Sequence, residues 1–114
     1  MVKSKKYIPE RGDIVWLDFN PQLGHEQRGR RPALTISFKT YNEKIGLGLF
    51  CPIASKIKGY PFEVELMGKT VSGCVLSDQV KSLDWTIRNV EYIEKIDDEK
   101  LADVVSNVLI LIEK

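Results

Sequence analysis

The chain has 114 residues, the size of one ordinary domain, and we expect residues 1–114 to form it. Its composition, 43% hydrophobic and 29% charged, is typical of a soluble globular protein, and no apolar run reaches the length of a membrane span. Positive charge at the N-terminus is not followed by an apolar segment, so we expect no secretory signal and a cytoplasmic location.

The net charge of +1 conceals an asymmetry along the chain. Residues 1–60 carry eleven Lys/Arg and five Asp/Glu, a net of +6, whereas residues 61–114 carry six and eleven, a net of −5. A basic half favours an anionic partner, and nucleic acid is the commonest one. The alternative is that folding mixes the two halves over one surface.

Most of the chain is predicted to form short strands. Residues 12–19 are a dense apolar run with β-branched and aromatic side chains, which indicates a buried strand. Residues 41–44 have the composition of a turn. Further strands are expected at residues 33–38, 46–53, 61–67, 73–81 and 87–96. Several short strands separated by turns predict a small barrel or sandwich.

Three residues refine this reading. Pro52 cannot donate to a strand ladder, so it implies an edge strand or a strand terminus. Cys51 and Cys74 lie in apolar, strand-like sequence and are expected to be reduced and buried. Two cysteines and one distant histidine fit no standard zinc spacing, and we expect no metal or other cofactor.

The C-terminal segment is predicted to be a helix that packs one face on the barrel. Asp97 is a candidate N-cap, and Asp98 and Glu99 put negative charge at the positive end of the helix. The apolar residues that recur at helical spacing are Leu101, Val104, Val105, Val108, Leu109 and Ile112.

Residues 24–32 carry the strongest chemical signal. The segment combines one histidine, one carboxylate and three arginines with two glycines and a proline, which favours a shaped turn. Arginine suits phosphate because its planar fork donates two parallel hydrogen bonds. The alternative is a solvated charged loop.

Cleavage of RNA without a metal needs a base for the 2′-hydroxyl, a cation for the transition state and an acid for the leaving oxygen. Glu26 is the hypothesised base, since neighbouring guanidinium groups would keep it ionised. Arg31, next to Pro32, is the hypothesised transition-state cation or acid. Arg28 and Arg30 are predicted to bind phosphate. His25 is assigned to the RNA site, with its role as acid, base or simple polar contact left open.

Two further polar segments are candidates for RNA contact. Lys56 and Lys58 would extend a phosphate-binding track, and Lys81 would do the same from the segment 77–82. Asp78 and Gln79 belong to that second segment, where polar side chains can read unpaired bases. Aromatic residues that could stack on bases, or simply pack in the core, are Trp16, Tyr41, Tyr60 and Phe62.

Three segments together resemble the MazF/PemK family of toxin endoribonucleases: GDIVWLDFNPQLGHEQRGRRPAL, KGYPFEVEL and VLSDQVKSLDW. The resemblance covers residues 7–85. It implies a mainly β, SH3-like barrel with added helices that forms a homodimer. It also implies metal-independent cleavage of single-stranded RNA, with mRNA as the expected target, leaving a 2′,3′-cyclic phosphate and a 5′-hydroxyl. The implied partner is an antitoxin whose acidic, extended tail occupies the RNA site.

The resemblance also assigns residues. The family's arginine before proline matches Arg31, and its loop glutamate matches Glu26. The residues that match segments lining the family's RNA groove are Lys56, Asp78, Gln79 and Lys81.

The chain departs from the family pattern at one position. Where the family has a threonine whose hydroxyl belongs to the active site, this chain reads Pro52-Ile53-Ala54-Ser55. Ser55, one residue further on, is a catalytic candidate only where the backbone bends, since a regular strand would turn its side chain to the other face.

Two other functions remain open from the sequence. The first is a weakened or inactive relative that still binds RNA or antitoxin, because the threonine hydroxyl is missing. The second is a gyrase inhibitor, since the CcdB toxins share the fold. The Glu26 and Arg31 loop argues against the second, because trapping an enzyme needs no phosphodiester-cutting residues.

Overall fold

The computed structural model describes residues 6–19 and 29–113. Within these ranges, strands β1 to β7 span Asp13–Asp18, Arg30–Thr35, Gly48–Ala54, Glu63–Met67, Ser72–Leu76, Lys81–Leu83 and Glu91–Lys95. Helices α1 and α2 span Lys39–Ile45 and Asp98–Ile112, and short 3-10 turns span Ser77–Gln79 and Trp85–Ile87. The predicted fold class, mainly β with a C-terminal helix, is confirmed.

The strands form one antiparallel sheet in the order β4-β5-β3-β2-β1-β7, with β6 also paired to β3. The sheet curls until its two edges meet. Glu94 on the edge strand β7 accepts hydrogen bonds from the backbone of Lys69, Thr70 and Val71, in the turn that joins β4 to β5 at the opposite edge. This contact between the edges gives the sheet its half-barrel shape.

Alternate residues of β1 serve two separate cores. Ile14 belongs to a core that the C-terminal helix covers through Val104, whereas Val15 and Leu17 pack with Trp85 in the second. Both cysteines are free and buried, as predicted.

The prediction of a turn at residues 41–44 was wrong, because these residues lie in α1. The helix is fixed by the fully buried Asn42, whose side-chain amide donates to the backbone oxygens of Pro9 (2.8 Å) and Ser37 (3.2 Å). Its backbone oxygen accepts from the indole of Trp85 at 3.2 Å. These contacts with distant parts of the chain override the weak helix propensity of asparagine.

The prediction that Pro52 marks an edge strand or a strand terminus was also wrong. Pro52 is buried in β3, an inner strand, and faces Ala33 of β2. On its other side β3 pairs with β6 up to Phe50 and with β5 from Ile53. Pro52 therefore lies at the gap between these two partners, where the strand can lack an N–H donor.

Helix α2 begins where the sequence predicts, with Asp97 at the N-cap and Asp98 and Glu99 in its first turn. Asp97 makes no side-chain capping bond. The apolar stripe is buried at Val104, but its end is exposed, since Ile112 keeps 76% of its accessible surface. In the part of the chain that the structure describes, no helix has the length and apolar character needed to span a membrane.

Candidate functional site

An open groove of about 1070 Å³ lies where the end of β3, the segment 55–61 and the 3-10 turn at residues 77–79 meet. The structure brings six of the predicted site residues to this groove: Arg31, Ser55, Lys56, Lys58, Asp78 and Gln79. Three of these are cations and one is an anion, and Glu63 adds a second carboxylate to the lining. The groove is thus built from segments far apart in sequence, and its lining has one more cation than carboxylates.

Arg31 is placed in the groove by the register of two strands. It lies opposite Leu17 of β1, which is fully buried, so the rigid part of the sheet sets its position. Its guanidinium group has no ion-pair partner among residues 6–19 and 29–113. A rigidly placed arginine that is not neutralised by a described carboxylate is suited to hold a phosphate.

Arg30, the neighbour of Arg31, forms ion pairs with carboxylates instead of lining the groove. Because successive side chains of a strand point to opposite faces, the two arginines leave β2 on different sides. The guanidinium of Arg30 forms ion pairs with Asp18 (3.3 Å) and Glu91 (2.9 Å). Hydrogen bonds from Asn89 and then Arg30 lower the pKa of Asp18 below its usual value, although burial opposes them. The predicted role of Arg30 in phosphate binding remains a prediction.

Lys81 is also absent from the groove lining. It lies at the start of β6, and its Nζ is 5.9 Å from the centre of the Phe19 ring. His25, Glu26 and Arg28 lie outside the described residues, so their assignments remain predictions.

The backbone bends at the point where the family threonine is missing. Strand β3 ends at Ala54, the chain bends at Ser55 and Lys56, and both Ala54 and Ser55 line the groove. The structure therefore has the bend on which the candidacy of Ser55 depends. The role of Ser55 in catalysis remains a prediction.

A hydrogen bond joins two walls of the groove. The Tyr60 hydroxyl donates to Asp78 Oδ2 at 2.7 Å, and this contact raises the pKa of Tyr60 above its ordinary value. The sequence suggested Tyr60 only as a stacking surface. No role was predicted for Glu63 from the sequence, because its contacts with the backbone N–H groups of residues 58–60 leave no local sequence signal.

In residues 6–19 and 29–113, no three side chains of the metal-ligating types His, Cys, Asp and Glu come together. The described residues supply the groove with guanidinium, ammonium, hydroxyl and carboxamide groups, and with the carboxylates of Asp78 and Glu63. The guanidinium, ammonium, hydroxyl and carboxamide groups can hold and polarise phosphate oxygens by charge and hydrogen bonding.

Comparison with known proteins confirms the resemblance seen in the sequence. The profile of the family described as "PemK-like, MazF-like toxin of type II toxin-antitoxin system" matches residues 10–112. The chain is 41% identical over 107 residues to "Endoribonuclease toxin MazF" of Escherichia coli (strain K12), which covers 94% of this chain and 96% of that protein.

Two solved structures from Deinococcus radiodurans share the fold. That of MazF superposes with a TM-score of 0.88 at 46% identity, covering 96% of this chain and 100% of that one. That of a MazE-MazF complex gives a TM-score of 0.85 at 48% identity, covering 93% and 96%. Relatives of this chain are thus toxins named as endoribonucleases, and one has been solved with its partner.

Proposed function

The chain belongs to the PemK-like, MazF-like toxin family of type II toxin–antitoxin systems, and from this we propose that it cleaves single-stranded RNA without a metal ion. The observation that carries the proposal is the position of Arg31. It lines a basic groove with Lys56 and Lys58, and no described carboxylate neutralises it. Such a groove fits a chain of phosphates far better than a neutral substrate.

The reaction assigned to the groove is an internal transesterification. The 2′-hydroxyl loses its proton to Glu26 and attacks the adjacent phosphorus, forming the 2′,3′-cyclic phosphate. Arg31 binds the phosphoryl oxygens, whose charge grows in the transition state. The bond to the 5′-oxygen breaks, and that oxygen takes up a proton to leave as a 5′-hydroxyl. Arg31, or the protonated Glu26, is the proposed donor.

We also propose a substrate and two partners. The proposed substrate is mRNA in the cytoplasm, so that cleavage would stop translation and growth. The proposed partners are a second copy of the chain and an antitoxin with an acidic tail, in keeping with the MazE-MazF complex of Deinococcus radiodurans. Carboxylates of such a tail would compete with phosphates for the same cations.

The test is incubation of the purified protein with an unstructured RNA in EDTA. We expect cleavage at short sequences, with 5′-hydroxyl and 2′,3′-cyclic phosphate ends. Loss of cleavage on chelation, or products with 5′-phosphate ends, would contradict the mechanism. A protein that leaves RNA intact but inhibits supercoiling by purified gyrase would support the CcdB-like alternative instead.

A second candidate function rests on Ala54. Because the hydroxyl of the family threonine is absent, a relative that binds RNA but cleaves it slowly is consistent with the sequence. Comparing the RNA cleavage rate of the wild-type protein with that of its Ala54→Thr variant separates the two candidate functions.

A further inference from the structure

The carboxylate of Glu63 lies at the centre of a backbone turn in the wall of the groove. Its Oε1 accepts from the backbone N–H of Lys58 (3.1 Å), Gly59 (3.0 Å) and Tyr60 (3.3 Å). The backbone N–H of Glu63 in turn donates to the oxygen of Tyr60 at 3.0 Å. One side chain therefore receives every N–H of a three-residue turn.

Such a turn needs a hydrogen-bond acceptor at its centre, and a negatively charged one suits it best. Consecutive N–H groups that converge form a concave site of positive potential, which an anion stabilises. Gly59 adopts φ +82°, the left-handed conformation that lets the chain curl in this way. Here the anion is supplied by the chain itself, so the shape of the turn depends on Glu63.

The same turn carries side chains that face the groove. Lys58 and Tyr60 both line it, and the Tyr60 hydroxyl reaches Asp78 Oδ2 on the opposite wall at 2.7 Å. Glu63 thus fixes the backbone beneath Lys58 and Tyr60, while Asp78 holds the tip of the tyrosine. The position of Arg31 does not depend on this turn, because Arg31 lies on β2 opposite Leu17.

We propose that Glu63 is a positioning residue for RNA binding: it holds the turn that presents Lys58 and Tyr60 to the RNA. The inference rests on the proposed function, because it names how that groove keeps its binding shape. Glu63 is not proposed to bind phosphate itself, because its negative charge would repel one and its Oε1 already accepts from the turn. Its removal should weaken binding while leaving the chemical step at Arg31 largely intact.

The experiment compares three variants for cleavage of a single-stranded RNA. We expect Glu63→Ala to raise KM about tenfold, the effect of losing a charge-assisted contact, with kcat changed less than about threefold. Glu63→Gln should keep KM within about threefold, since its amide oxygen still accepts from backbone N–H groups. Glu65→Ala is the matched control, because Glu65 lies on the same face of β4 and is exposed, and it should match wild type.

Salt dependence gives a readout that a general loss of structure would not imitate. Loss of the Lys58 contact should make the slope of log binding constant against log salt about 0.7 less steep in Glu63→Ala. Lys58→Ala should have the same effect on the slope, and adding Glu63→Ala to it should leave the slope nearly unchanged, because Lys58 is the cation that the turn presents. Slope changes that simply add in the double variant would overturn the proposal.

Binding of a 2′-O-methyl RNA, which cannot undergo internal attack, separates this inference from the proposed function. A wild type that binds this RNA but cleaves no RNA defeats the proposed function and leaves the role of Glu63 testable by affinity. A folded Glu63→Ala protein with wild-type affinity and salt slope overturns the role of Glu63. So does a Glu63→Gln variant as defective as Glu63→Ala. If Glu63→Ala fails to fold, Glu63→Asp takes its place: its shorter side chain withdraws the acceptor from the turn and should raise KM with the same loss of salt slope, and wild-type affinity and slope in Glu63→Asp would overturn the role.

Discussion

A Cβ atom on Gly73 would collide with the backbone oxygen of Ala54. Gly73 lies in β5, and its missing side chain lets the end of β3 press against the strand just before the chain bends at Ser55. The geometry of the groove beside Ala54 therefore depends on a residue that is itself buried in the sheet.

Gly73→Ala tests this dependence. The substitution must shift the backbone of Ala54 and also strains a residue at φ +140°. We expect the free energy of unfolding in urea to fall by about 2–4 kcal/mol. Gly59→Ala is the control, because Gly59 has a positive φ but open space around it, and it should cost only about 1 kcal/mol. Equal losses of unfolding free energy in the two variants would mean that the close contact between the new Cβ and the Ala54 backbone oxygen costs nothing.

The missing threonine hydroxyl is tested at two adjacent positions. If Ser55 supplies the hydroxyl from the bend, Ser55→Ala should lower kcat by about tenfold or more. Ala54→Thr restores the family residue and should raise kcat above wild type. The measurement is single-turnover cleavage of one RNA oligomer. An unchanged kcat in both variants would show that no hydroxyl at this bend assists the reaction.

The two adjacent arginines should differ sharply in their effect on catalysis. Arg31→Ala should lower kcat by about a hundredfold or more, the cost of losing a donor to the transition state. Arg31→Lys should recover only part, because an ammonium keeps the charge but not the planar fork. Arg30→Ala is the matched control and should stay within about threefold, since Arg30 is paired with Asp18 and Glu91. A defect in Arg30→Ala as large as that of Arg31→Ala would contradict this division.

The stability of the half-barrel should depend on pH through Glu94. Burial raises the pKa of Glu94, but hydrogen bonds from Val71, Thr70 and Lys69 outweigh it and leave the pKa below its usual 4.5. A carboxyl with a depressed pKa in the folded state contributes stability above its unfolded pKa and loses it as pH falls through the folded value.

Glu94→Gln should therefore be less stable than wild type by about 1–2 kcal/mol near pH 7. The difference should shrink as pH falls below 4.5, because the wild-type carboxyl is then protonated too. Urea unfolding at several pH values measures it. Glu43→Gln, at an exposed position of α1, is the control and should show no such convergence. A difference that stays constant with pH would show that the charge of Glu94 is not what holds the turn.

An acidic peptide should compete with RNA for the groove. Its carboxylates would bind Arg31, Lys56 and Lys58, and its affinity should fall as salt rises. Inhibition of cleavage at increasing salt measures this. A peptide affinity that is independent of salt would contradict a charge-based groove.

The positions of β1 and β4 were predictable because alternation and apolar runs are local signals, whereas the strand predicted at residues 73–81 ends at Leu76 and gives way to the 3-10 turn Ser77–Gln79. The residues 12–19 and 61–67 gave β1 and β4 to within two residues at each end. Helix α1 was not predictable, because Asn42 gains its stability from Pro9 and Trp85, which are distant in sequence. The position of Pro52 in an inner strand was likewise not predictable. It depends on β3 pairing with β6 before Pro52 and with β5 after it.

The site was partly predictable for a similar reason. Arg31 stood out through its proline and through family resemblance, but its separation from Arg30 follows from strand parity, which composition does not reveal. Glu63 was hidden because an acidic residue at an outward position of a strand is usually solvated. Its hydrogen bonds with the backbone N–H groups of residues 58–60 form only when that turn folds back over it.

The pairing of Asp18 with Arg30 has a consequence for how this protein can change. The chain leaves the sheet after Asp18 and returns at Arg30, on the same rung of the ladder. An insertion or deletion between these two residues changes the length of the connection from β1 to β2. It does not alter the strand register that places Arg31 opposite Leu17. The connection between these two residues can therefore vary in length among related chains while Arg31 keeps its place opposite Leu17.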